Sequence, residues 1–206
     1  MFQRFEKHYG INRRSSQPAV SGELATPPGA SKLIADFGSV SVHHGLYRVH
    51  SAADVSDWTQ IVTSMFPQFA GHIYCFGADW LGRQLAIDMT RKNPDGEPLT
   101  LMLDSGAGEV LEIPATLAEF HNAEIIDYAE EALALGFFEK WRKIEPRELE
   151  PGECAGYKVP LFLSGKDRVD NLKRIDARVY WEIHTQLFRQ CESLPDGTKI
   201  GRIKIQ

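Results

Sequence analysis

The sequence predicts an α+β fold, with an antiparallel central sheet of about five to six strands covered by several helices. Two observations carry that expectation. From His72 to Ile113, short apolar runs follow one another with brief polar turns between them, HIYCFGADWLGRQLAIDM and then LTLMLDSGAGEVLEI. On either side apolar residues recur at helical spacing, at Val55, Trp58, Val62 and Met65 and at Ile126, Ala129, Leu133, Phe137 and Trp141. With 206 residues, 43% of them hydrophobic and 25% charged, the chain can bury one sizeable core and is unlike a disordered segment.

In chain order, residues 1–11 suit a short helix presenting Phe2 and Phe5, and residues 12–27 read as a Ser- and Pro-rich connection. Residues 1–27 are therefore taken as an arm and linker, and 28–206 as a single domain. Pro28, Leu33, Ile34 and Phe37 followed by Gly38 suggest a helix, and VSVHHGLYRVH one or two short strands. Ser51 and Asp54 form a capping pair for a helix that ends before Pro67, with Trp58 and Met65 facing the core. IYCFGA, RQLAIDM, LTLMLD and EVLEI are four strands of a meander, joined at Asp79–Gly82, Asn93–Gly96 and Ser105–Gly108. The last two do not alternate cleanly, which predicts cover on both faces of the sheet. Thr116 and Glu119 cap one long helix through Trp141, with a bend possible at Gly136. YKVPLFL reads as a strand. Asp176 caps a helix with Val179, Ile183 and Leu187 inward, Leu194–Thr198 make a turn, and KIGRIKI a final strand.

Charge is uneven. Residues 51–135 hold 3 Lys+Arg against 14 Asp+Glu, while the flanking segments are each net positive. Such a block disfavours nucleic acid and suits a basic partner or a cation, or serves solubility alone. Arg13–Arg14 and Lys173–Arg174 are too small for a nucleic-acid footprint. Cys75, Cys154 and Cys191 are an odd, scattered set that reads as reduced thiols, and no apolar run reaches membrane-spanning length. The expectation is a cytoplasmic protein without membrane contact.

No catalytic constellation reaches a specific spacing. Ser105 lies outside a G-x-S-x-G elbow, Gly106 and Gly108 lack the rest of a phosphate loop, and no histidines stand four apart. His121 and Glu124 read as a surface pair. Asp79, Asp88 and Asp104 stand at strand ends, where they either bind turn amides or converge into a carboxylate site. No enzyme activity, metal or cofactor is expected. Trp80, between Asp79 and Arg83, offers an exposed interface anchor or folds back as a lid on the sheet.

The succession GLYRVH, a Trp58 helix, FGADWLGRQLAIDM and LDSGAGEVLEIPATLAEFHN resembles the SUKH superfamily. In particular it is similar to bacterial type VI secretion immunity proteins that join a GAD-like segment, here about 28–100, to a C-terminal module, about 101–206. GYKVPLFLSGKD, NLKRIDARVYWEI and LPDGTKIGRIKI carry the likeness onward. The resemblance implies a non-enzymatic protein, a monomer or weak homodimer, that binds and neutralises a cognate toxic effector. That effector would be a nuclease of a type VI or contact-dependent system. A general interaction scaffold and a carboxylate-dependent hydrolase are the alternatives. Turn position nominates Asp79, Trp80, Arg83, Glu109, Lys166 and Asp167 as partner-binding residues.

Overall fold

The structure, a computed structural model, describes residues 1–11 and 26–191. The turn at Leu194–Thr198, the final strand KIGRIKI and nearly all of the 12–27 connection lie outside the described residues.

Six strands form one antiparallel sheet in chain order: β1 (Ser41–Val42), β2 (Tyr47–Val49), β3 (Ile73–Asp79), β4 (Gln84–Lys92), β5 (Pro98–Asp104) and β6 (Glu109–Thr116). The expected meander is present, and so is its double cover. Tyr74, Phe76, Leu85, Ile87 and Met102 enter one core, while Ile73, Cys75, Ala86, Leu101 and Leu103 enter the other. Side chains of a strand alternate between faces, so two buried faces produce the continuous apolar runs seen in the sequence.

The first core is closed by α1 (Gln3–His8), α2 (Ala30–Phe37) and a run of short helices, and the second by α3 (Asp54–Met65) and α8 (Ala177–Cys191). Ser51 bonds Asp54 just ahead of α3, its hydroxyl donating to the carboxylate and accepting the Asp54 amide, but the N-cap of α3 is Ala53, which makes no side-chain cap. Trp58 and Met65 are buried as expected. Phe2 and Phe5 on and beside α1 are also buried. A second, two-stranded antiparallel sheet pairs β7 (Glu153–Tyr157) with β8 (Leu172–Asp176).

Three expectations are corrected. The long helix after Thr116 is in pieces: α4 (Leu117–Glu119), a π-helical turn at Phe120–Glu124, α5 (Ile125–Asp127), α6 (Ala129–Leu133) and α7 (Leu135–Ile144). Its capping box is real, but the break falls at Ala134, in the left-handed region at φ 52°, rather than at Gly136. The Glu130 carboxylate accepts the Gly136 N–H at 2.7 Å and so steadies the start of α7. YKVPLFL is no strand, since β7 ends at Tyr157 and a 3₁₀ turn at Leu161–Leu163 follows Pro160, which has no N–H for a ladder. In α8 Asp176 does accept two amides of the first turn, but the buried face is Tyr180, Trp181, His184, Thr185 and Leu187, and Val179 is 45% exposed.

His121 is likewise a core residue and not a surface partner of Glu124. Its Nδ1–H donates to the Leu117 carbonyl at 2.8 Å, which leaves Nε2 to accept from the Tyr47 hydroxyl at 2.8 Å. Burial pushes His50, His121 and His184 down to about 4. The unfolded chain protonates these sites near pH 6.5, the folded chain only near 4, so stability is lost as pH falls through that window. Each histidine accounts for roughly 3 kcal/mol over the whole range. Urea denaturation between pH 7 and 4.5 is expected to show a steadily falling midpoint, and His121→Gln to flatten that dependence.

Candidate interaction surface

The turn between β3 and β4 is where the sheet meets everything that follows it. Asp79 is fully buried, and its Oδ1 accepts the Leu81 and Arg83 amides at 3.0 Å each while Oδ2 accepts Arg83 Nε at 2.6 Å. Burial raises the Asp79 carboxyl, and the Arg83 guanidinium and the two amides pull it back. These three donors and the Arg83 charge favour the ionised carboxylate against the cost of its burial.

Around that ion pair the turn grips three later elements. Trp80 donates Nε1–H to the Leu133 carbonyl at the end of α6 at 2.8 Å, and Arg83 reaches the Ala132 carbonyl at 3.3 Å. The Trp80 carbonyl accepts the Ala155 N–H of β7 at 2.8 Å, and the Gly82 carbonyl accepts Trp181 Nε1–H of α8 at 2.7 Å. Gly82 is required here: it sits at φ 82°, and a Cβ would meet Cys154 Sγ at 3.0 Å. The Trp80 ring is 0% exposed and lies among Phe137, Phe138 and Trp141, with centroids 5.2–5.7 Å away.

The same network reaches the surface. Asp104, also raised by burial and pulled back by Arg83, accepts the Gly106 and Ala107 amides at 2.7 and 3.0 Å and so shapes the β5–β6 turn. The Gly106 carbonyl then accepts the Leu161 N–H at 2.8 Å, which ties this turn to the loop between β7 and β8. That loop, residues 158–171, is held closed by Asn171. Its Oδ1 accepts the Val159 amide at 3.0 Å, and its Nδ2 donates to the Val159 and Lys166 carbonyls at 2.9 Å. Tyr157 hydroxyl donates to Asp167 Oδ1 at 2.6 Å. Gly165 has no room for a side chain, because a Cβ would collide with the Val159 carbonyl.

The loop therefore presents a fixed outer surface. Lys158, Lys166, Asp167, Arg168 and Asp170 are exposed on it, and Val159 is 47% exposed among them. A closed, internally bonded surface loop on a rigid support is the kind of element that carries recognition. Asn171→Ala removes its clasp at a cost of about 1–2 kcal/mol. Hydrogen exchange is expected to quicken across 158–168 and to stay unchanged in β3–β5.

Of the nominated residues, Glu109, Lys166 and Asp167 are exposed and lie on these two joined loops. Asp79, Trp80 and Arg83 are not exposed: Trp80 folds back into the core, and the Asp79–Arg83 pair is internal glue beneath the surface. Asp88 stands midway along β4, opposite Ile73, where it accepts the Thr90 amide and hydroxyl and lies 3.3 Å from His72 Nδ1. Asp79 and Asp104 thus shape turns on either side of Arg83 and Asp88 serves its own strand, so the three do not gather into one site. Among the described residues no group of three His, Cys, Asp or Glu gathers as metal ligands. Part of the acidic block is paired at the surface, as Asp54 and Asp57 lie against Arg178, Glu112 against Arg91 and Asp127 against Arg4. Sequence reasoning missed Asn171 and Val159, which carry no local signal because their roles arise only when the loop closes on itself.

No helix among the described residues is long and apolar enough to cross a membrane. Residues 117–188 match the family model described as T6SS immunity protein Tdi1, C-terminal. Among solved structures, the crystal structure of Atu4351 from Agrobacterium tumefaciens is similar in fold, with a TM-score of 0.57 and 16% identity over 90% of this chain and 89% of that one. No curated protein matches. The family match spans about a third of the chain, from α4 to α8, and contains the whole 158–171 loop.

Proposed function

We propose that this chain is the cytoplasmic immunity partner of a type VI-secreted effector, and that it acts by binding that effector through the β5–β6 turn and the 158–171 loop. The observation that carries this reading is the match of residues 117–188 to the immunity family, because the exposed, clasped loop lies inside the matched segment. Residues 28–100 are read as the GAD-like, SUKH-type part that supports it through the Asp79–Arg83 turn. The effector is read as a nuclease, whose basic substrate groove would face Glu109 and the remaining exposed acidic residues. The hydrolase alternative loses support, since Asp79, Asp88 and Asp104 are engaged by backbone amides.

Co-expression with the product of the adjacent gene tests the proposal. Growth is expected to be restored and the two proteins to co-purify; failure of both would overturn it. Trimming Glu109 to Gln is expected to slow association and to reduce its salt dependence, as a steering charge at the rim of an interface does.

A further inference from the structure

The outer edge of the six-stranded sheet points to how a partner is held. β6 ends the strand order, and among the described residues no strand lies on its outer side. The opposite edge, β1, is only two residues long and offers no comparable ladder. Along β6, Glu109, Leu111 and Glu112 are exposed and Val110 and Ile113 half-buried, with Leu111 at 49%. Pro114 has no N–H to give, so pairing is confined to Glu109–Ile113.

An open strand edge is a template for another extended chain. We infer that β6 receives an extended basic segment of the effector as an added strand, a conclusion that rests on the immunity reading and supplies its mode of recognition. Charge selects that occupant. Glu109 and Glu112 lie on opposite faces of the strand, and Glu112 is shared with Arg91 at 3.3 Å, so a Lys or Arg of an added strand meets Glu109 directly and competes with Arg91 for the 71% exposed Glu112, while apolar residues cover Leu111 and Ile113. A second copy of this chain is disfavoured, because two β6 edges would gather four carboxylates in one short ladder. The edge is also continuous with the proposed surface, since Glu109 directly follows the turn whose Gly106 carbonyl holds Leu161. A strand added at β6 would thus run away from the 158–171 loop along the sheet. Main-chain hydrogen bonds would give affinity and the alternating side chains selectivity.

Hydrogen exchange on the full-length chain tests this with two blocked hexapeptides, one alternating Lys and Val and the other Glu and Val. At ten times its dissociation constant, the lysine peptide is expected to slow exchange about tenfold at those amides of Val110–Ile113 that point away from β5. The glutamate peptide is expected to leave those amides unchanged, and Glu109→Lys with Glu112→Lys to reverse the preference. Equal protection by both peptides, protection confined to another region, or protection in the free chain of the β6 amides that point away from β5 would overturn the inference, the last by showing the edge already covered. The peptides contain no effector, so failure here removes the edge as the docking site, whereas failure of growth rescue removes the immunity reading itself.

Discussion

Replacing Trp80 with Ala is expected to destabilise the fold by about 3–5 kcal/mol, because a fully buried indole is lost from a close-packed cluster. The Leu133 carbonyl also loses its buried N–H donor, a further cost of about 1–3 kcal/mol. For a domain of this size the melting temperature should fall by roughly 10 °C or more. Trp80→Phe keeps most of the ring contacts with Phe137, Phe138 and Trp141 and should cost far less. An unchanged melting temperature with weakened effector binding would return Trp80 to the surface and contradict its place in the core.

The second large effect is expected at Arg83. Arg83→Met leaves the Asp79 carboxylate buried with two amides but no cation, and breaking such a pair from one side costs about 3–5 kcal/mol. Removing both charges, in Asp79→Asn with Arg83→Met, should recover much of that loss, because the penalty belongs to the stranded charge. The pH dependence has a definite sign. Burial raises the Asp79 carboxyl, more so without Arg83, so the single variant regains stability relative to the parent as pH falls and Asp79 takes up a proton. Chemical denaturation of the four proteins of this cycle at pH 7 and pH 5 would show it. A double variant as unstable as Arg83→Met would show that the guanidinium contributes by packing and not by charge.

These two residues also mark the boundary of what sequence reveals. The meander from Ile73 to Thr116 was legible, because Asn93–Gly96 and Ser105–Gly108 have turn chemistry and the runs between them are strand-length. The Thr116–Glu119 capping box and the Ser51–Asp54 contact were legible for the same reason, being local hydrogen-bond patterns, although the second lies ahead of the N-cap of α3. Asp79–Arg83 could be read as a turn, but not what lies over it. Trp80 meets Leu133 across 53 residues, and a turn residue is exposed or covered according to that distant packing. The break at Ala134 has no glycine to announce it; Trp80 and Arg83, bonded to the last carbonyls of α6, help to define the end of that helix. The pairing of β7 with β8 was equally hidden, since ECAGY does not alternate and its partner strand begins beyond a loop. Glu109, Lys166 and Asp167 do lie at the surface, as polar side chains at turns commonly do.

The central claim is that recognition belongs to the joined loops and that the Asp79–Arg83 turn supports them from within. The most direct measurement is the dissociation constant of a catalytically inactivated effector, the product of the adjacent gene being the first candidate, for the triple variant Glu109→Lys, Lys166→Glu and Asp167→Asn, the last of which keeps an oxygen for the Tyr157 hydroxyl. All three positions are exposed, so the melting temperature should stay within a few degrees of the parent, while affinity falls at least about a hundredfold if the three lie at the centre of the interface. Unchanged affinity in a variant that folds normally would contradict the account and place the binding surface elsewhere on the molecule.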